Sequence, residues 1–264
     1  MALVSKVKVQ DNLKEAIEKA VEQIGGFGQF VKSGDRVLLK PNFNTADPFP
    51  ASTDPAFLKV VVELVYRAGA SEVIIGDCST MALKTRQVME KLGIFDIGKE
   101  ILPAPNILVF EEEKWVKKKI PKARYLKSVS LAEILDKVDK LILLPCLKTH
   151  FLAQFTGSLK LAVGFIKPIE RLRLHISHLN EKIAELNSVI KPNFIIMDGR
   201  KCFITKGPSK GKLAHPGLIL ASESRMAIDI EGIKIIQSFK GNSLAGLQPE
   251  DLLQIKRAKE LGIK

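Results

Sequence analysis

The chain has 264 residues, 46% of them hydrophobic and 27% charged, a globular composition that excludes a disordered or fibrous protein. Its net charge of +12 favours acidic partners, whether a small anion, a nucleic acid or an anionic surface. Cys78, Cys146 and Cys202 lie far apart with no C-x-x-C spacing, which excludes a locally encoded zinc ribbon or ferredoxin-type cluster and suits a reducing compartment.

Residues 1–9 alternate valine and lysine without the apolar run of a secretory signal. The longest apolar stretches, such as 141–144, are too short to cross a bilayer. A soluble, cytoplasmic protein without membrane contact is therefore expected. Asp11 is placed to cap a helix whose apolar residues Leu13, Ile17, Ala20, Val21 and Ile24 follow a 3.6 period up to Gly25. Gly34 and Asp35 turn the chain into a strand over 36–40, which Pro41 stops.

A second helix starts at Asp54-Pro55, carries Phe57, Leu58, Val61, Val62 and Val65 on one face, and ends at Gly69. Val73 to Ile75 then runs as a strand into Gly76-Asp77-Cys78, completing a βαβ unit whose strands are parallel. Residues 111–122 are strongly charged and read as a hairpin or exposed excursion. Ser130-Leu131-Ala132-Glu133 has the form of a capping box opening a helix.

Apolar runs at 140–144, 194–197 and 218–221 read as buried strands, and 178–190, 225–239 and 249–261 as helices. The alternation defines an α/β fold, a mostly parallel open sheet flanked by helices. No repeat or linker interrupts it, so one domain over 1–264 is expected, with lobes 1–145 and 146–264 as the alternative division.

In open parallel sheets, ligands bind beyond the carboxyl ends of the strands. The segments after the apolar runs are Lys40-Pro41-Asn42, Asp77-Cys78, Cys146-Leu147-Lys148-Thr149-His150 and Asp198-Gly199, expected as loops on one edge. Lysine offers a point charge to a carboxylate or phosphate, and histidine shuttles protons near neutrality. Lys40, Asn42, Lys148, Thr149 and Lys160 are thus the expected ligand-binding residues. His150 is the expected proton carrier, with Asp198 or Asp77 fixing its tautomer. The small, polar segment from Thr156 to Lys160 could add backbone N–H groups and a cation.

Two metal arrangements arise. His175 and His178 share one face if their segment is helical, and the three cysteines each follow a strand and could converge on a soft metal or iron–sulfur cluster. The stretch from Gly207 to Lys212 departs from a phosphate loop, with three residues between its glycines, and reads as a flexible basic loop or lid.

At Lys40-Pro41-Asn42, Leu147-Lys148-Thr149-His150, Gly157 to Lys160, Asp198-Gly199 and Gly207-Pro208, the sequence resembles the family called domain of unknown function 362, from about Val37 to Ile230. The resemblance implies an α/β fold and a polar site built from those motifs, and it supplies no reaction. Some members carry a ferredoxin-like iron–sulfur module, which implies a redox context and a ferredoxin-like partner for part of the family; the residues read here contain no such module. The leading expectation is an enzyme or enzyme-like protein that binds a small anionic molecule, with no cofactor specified. Alternatives are an iron–sulfur or metal-binding redox protein, and a basic nucleic-acid-binding protein.

Overall fold

The computed structural model describes residues 2–264. The chain begins with β1 (Ser5–Lys8), α1 (Leu13–Glu22), α2 (Phe27–Phe30), β2 (Arg36–Lys40), α3 (Pro55–Arg67) and β3 (Glu72–Asp77). It continues through α4 (Thr85–Lys91), α5 (Ile94–Glu100), β4 (Asn106–Val109), β5 (Trp115–Lys119), β6 (Ser128–Ala132) and β7 (Lys140–Leu143). Next come β8 (Cys146–His150), β9 (Gln154–Thr156), α6 (Ser158–Leu161), α7 (Arg171–Ile176) and α8 (Leu179–Leu186). The last elements are β10 (Phe194–Phe203), β11 (Leu213–Ala214), β12 (Leu218–Ser222), α9 (Arg225–Gln237) and α10 (Leu253–Glu260).

The main sheet has the order β1-β12-β10-β7-β2-β3-β4. From β10 to β4 every pairing is parallel, while β12 and β1 close the other edge antiparallel. The fold is therefore α/β with a mostly parallel, mixed sheet. Alternation along each strand supplies two cores. In β2, Val37 and Leu39 pack with α1, α3, α4 and α5, while Leu38 faces the opposite core with α8, α9 and α10. Helices on both faces explain why the central strands read as continuous apolar runs.

The charged stretch does make an antiparallel pair, β5 with β6, apart from the main sheet. Here the capping-box expectation fails. Ser130 lies inside β6 and its N–H donates to Glu170 Oε2 at 2.9 Å, because pairing with β5 outweighs the local helix signal. The first helix is capped by Asn12 rather than Asp11; the Asn12 carboxamide accepts from the N–H groups of Lys14 and Glu15. Two expected loops are strands. Lys148-Thr149-His150 forms most of β8, and Asp198 sits in mid-strand because β10 runs on through a bulge to pair with both β7 and β8.

Candidate functional site

Beyond the carboxyl ends of β2 and β3 lies a cavity of about 60 Å³, lined among others by Lys40, Asp77, Lys148, Thr156, Lys160 and Arg171. Lys40 ends β2 with the parity of Leu38, so its chain runs into the core beside Phe165, Nζ lying 5.5 Å from the ring centroid. Asp77 ends β3. Its Oδ1 meets Lys40 Nζ at 2.6 Å, and its Oδ2 accepts from the Phe43 N–H at 2.6 Å. Gly164 closes over this pair: a Cβ there would sit 2.6 Å from Asp77 Oδ1 and 2.7 Å from Lys40 Nζ, so a larger residue would displace the ion pair.

The β8–β9 hairpin brings the next two groups. Lys148 and Thr156 face each other in register, which puts both side chains on one face of the hairpin. Lys148, 1% exposed, donates to the Ala51 carbonyl at 2.5 Å. Gly157 then turns the chain into α6, whose first N–H groups, from Ser158 and Leu159, donate to the buried carboxylate of Asp229 at 2.6 and 3.0 Å. Those amides, expected to serve a ligand, are already occupied. Their role is to hold the turn that presents Lys160.

Hydrogen-bond capacity separates this cavity from an ordinary buried polar cluster. Arg171 donates from Nε to Ile166 O, from Nη1 to Cys78 O and Ser79 O, and from Nη2 to Gly164 O, leaving one of its five N–H donors over. No carboxylate pairs with it among the described residues. Lys148 uses one of three donors and Lys40 two, on Asp77 and Pro41 O. Lys160 makes no hydrogen bond or ion pair among the described residues, and the Thr156 hydroxyl, in a residue 8% exposed, is buried without a partner. The cavity thus holds donors without acceptors around a single carboxylate.

The electrostatics follow. Burial pushes the Lys148 ammonium down to about 8, with Cys146, Asp47 and Asp77 pulling it back up. Burial likewise brings Lys160 down to about 8, and the charges of Lys148 and Arg171 lower it further. Burial lowers Lys40 against the pull of Asp77. An oxygen-rich anion would satisfy the spare donors and relieve this repulsion together.

The other expected site residues are placed differently. Asn42 lines the cavity, and its Nδ2 donates to Ala51 O at 2.9 Å. Thr149 points to the opposite face of β8 from Lys148, its hydroxyl buried and unpartnered there. His150 is oriented by backbone rather than by Asp77 or Asp198: its Nδ1 accepts from the N–H groups of Leu152 and Ala153, both at 3.1 Å, which leaves the proton on Nε2. Burial, with Lys160, Lys148 and His175 nearby, drives its pKa down to about 2, so the ring is neutral and poorly suited to proton shuttling at neutral pH. Asp198 pairs with Arg200 Nη2 at 2.7 Å, and Arg200 also reaches Asp54, the cap of α3, at 2.6 Å.

His175 belongs to α7, whereas His178 follows that helix in a left-handed conformation, stacked 3.9 Å from the Tyr125 ring centroid; the helical face they were to share does not form. The three cysteines are buried and unpaired, and among the described residues no group of three His, Cys, Asp or Glu has metal-binding geometry. Burial holds Cys78 and Cys146 up at about 11 and Cys202 at about 12, so all three are thiols. Pro208, in the basic loop before β11, reaches the cavity wall. Sequence reading missed Arg171, Gly164 and Asp229, and did not single out Thr156. Only Thr156, the first residue of the already suspected segment from Thr156 to Lys160, carried a usable signal.

The model of the family Domain of unknown function (DUF362) matches residues 37–234, and the chain belongs to that family. A curated relative, the thylakoid-associated protein sll1697 of Synechocystis sp., is 28% identical over 234 residues, covering 86% of this chain and 70% of that protein. A similar solved structure is the lactate racemase apoprotein from Thermoanaerobacterium thermosaccharolyticum, with TM-score 0.48 and 11% identity over 87% of this chain; the chain spans 57% of that structure's length. Among the described residues no helix is long and apolar enough to cross a membrane.

Proposed function

We propose that this protein binds a small molecule bearing a carboxylate or phosphate, with that group in the cavity between Lys40, Lys148, Lys160 and Arg171. The observation that carries the reading is the surplus of donors: the buried ammonium groups of Lys40 and Lys148, the buried Arg171 guanidinium, the half-buried Lys160 ammonium and the orphan Thr156 hydroxyl surround one carboxylate. Leaving such donors unmet in low dielectric is costly, and an oxyanion is the ligand that meets them all. Size limits the guest. About 60 Å³ accommodates on the order of five water-sized groups, so an acid headgroup enters and a nucleotide base does not. Lys40, Lys148 and Arg171 are also too deep to line up along a nucleic-acid backbone, whose phosphates are met at the surface.

Calorimetry and melting curves with inorganic phosphate, acetate and pyruvate test this directly. At least one anion raises the melting temperature of the native protein, and Lys148→Met removes that rise while remaining folded. A native protein indifferent to all three, or a Lys148→Met variant that responds equally, overturns the reading.

A further inference from the structure

Lys160 differs from the other cations of the cavity. Lys40 is held by Asp77 and a carbonyl, Lys148 by the Ala51 carbonyl and Arg171 by four carbonyl contacts, whereas the Lys160 amine has no partner at all among the described residues. The turn that presents it is rigidly made, with Gly157 against Asp229 and the α6 amides tied to the same carboxylate. A lysine kept solely to attract an anion would be expected to share in this fixing. One left unbonded on a fixed turn beside bound cations is arranged to react.

Resting on the anion reading above, we propose that Lys160 is an amine nucleophile that forms a Schiff base with a small 2-oxo acid, whose carboxylate is held by Lys148 and Arg171. The acid group and the carbonyl of such a molecule are separated by one bond, which matches a cavity only a few heavy atoms across. The charges that bear on Lys160, from Lys148 and Arg171, are both positive and favour its neutral, nucleophilic form. The nitrogen lone pair forms the N–C bond as the C=O π bond breaks. The carbonyl oxygen takes a proton from the Lys40 ammonium, which recovers one from the new nitrogen. A second protonation expels the oxygen as water and leaves the iminium, so that amine, oxo acid and one proton give iminium and water. Asp77, 2.6 Å from Lys40 Nζ, keeps that proton donor in place.

The full chain, incubated with glyoxylate or pyruvate and then reduced with sodium cyanoborohydride, tests the assignment. The expected product is a stable mass gain equal to the oxo acid less one oxygen atom, mapped to Lys160 by peptide analysis and absent from Lys160→Arg, which keeps the charge. Excess phosphate suppresses the adduct by occupying the same cavity. Melting curves with the same oxo acids separate the two proposals. Stabilisation without any adduct at Lys160 overturns the nucleophile and leaves anion binding intact, while neither stabilisation nor adduct removes both. Labelling spread over surface lysines and unchanged in Lys160→Arg also overturns it.

Discussion

Two buried charge clusters in this molecule resemble each other in composition and differ in saturation. At Glu185, fully buried, both carboxylate oxygens are filled: the N–H groups of Arg124, Tyr125 and Leu126 donate to them, and Arg257 adds a bond at 2.8 Å. Arg257 is itself shared with Glu260 and the Lys122 carbonyl. Around Lys148 and Lys160 the balance is reversed, with donors outnumbering acceptors and an unpartnered hydroxyl. A saturated cluster is complete as architecture, fastening α8 and α10 to the segment before β6. An unsaturated one keeps hydrogen-bonding capacity for a guest, and the anion-binding proposal rests on that capacity. Burial alone would have scored both alike.

The sharpest way to break that contrast is Glu185→Ala. It strands the buried Leu126 amide, two partly buried amides and the buried Arg257 guanidinium, so a loss of about 3–5 kcal/mol is expected in denaturant unfolding, whereas Lys148→Met should leave the unliganded protein as stable or more so. Next is pH. The Lys148 pKa falls from 10.5 in the unfolded chain to about 8 in the folded one. The unfolded state therefore binds more protons between these values, and stability should rise as pH increases from 8 to 10.5. Below pH 8 the group costs roughly 3 kcal/mol, and this pH dependence should vanish in Lys148→Met.

A bound anion reverses that shift, so binding takes up protons, and affinity for phosphate or pyruvate should fall as pH rises through 8. Titration calorimetry in buffers of different ionisation enthalpy reads this directly; binding without proton uptake would place the anion elsewhere. The smallest effect is expected from Thr156→Val, which keeps the shape and removes the orphan hydroxyl. Anion affinity should drop by about 1 kcal/mol, with thermal stability unchanged or slightly higher. A matched Thr149→Val, on the other face of β8, should not alter affinity, and that pair of variants isolates the cavity from the strand that carries it.

The parallel sheet, the βαβ unit and the position of Lys40 at the end of its strand were legible because continuous apolar runs and Gly, Asp and Pro punctuation are local signals. Residues 130–133 were misread for the same reason, since a capping box is local and the pairing of β5 with β6 is not. Length and apolar pattern by themselves determined the α/β class, and the motifs determined which loops to suspect. Only the tertiary structure decided which polar residues belong together. It removed Asp198 into a pair with Arg200 and turned Thr149 away by strand parity. It tied His150 to backbone amides and brought Arg171 back from α7 to within 3.0 Å of the Cys78 carbonyl. Whether a buried donor finds an acceptor depends on groups nearly a hundred residues away, as Lys148 and Ala51 are, and no local pattern in the chain encodes that pairing.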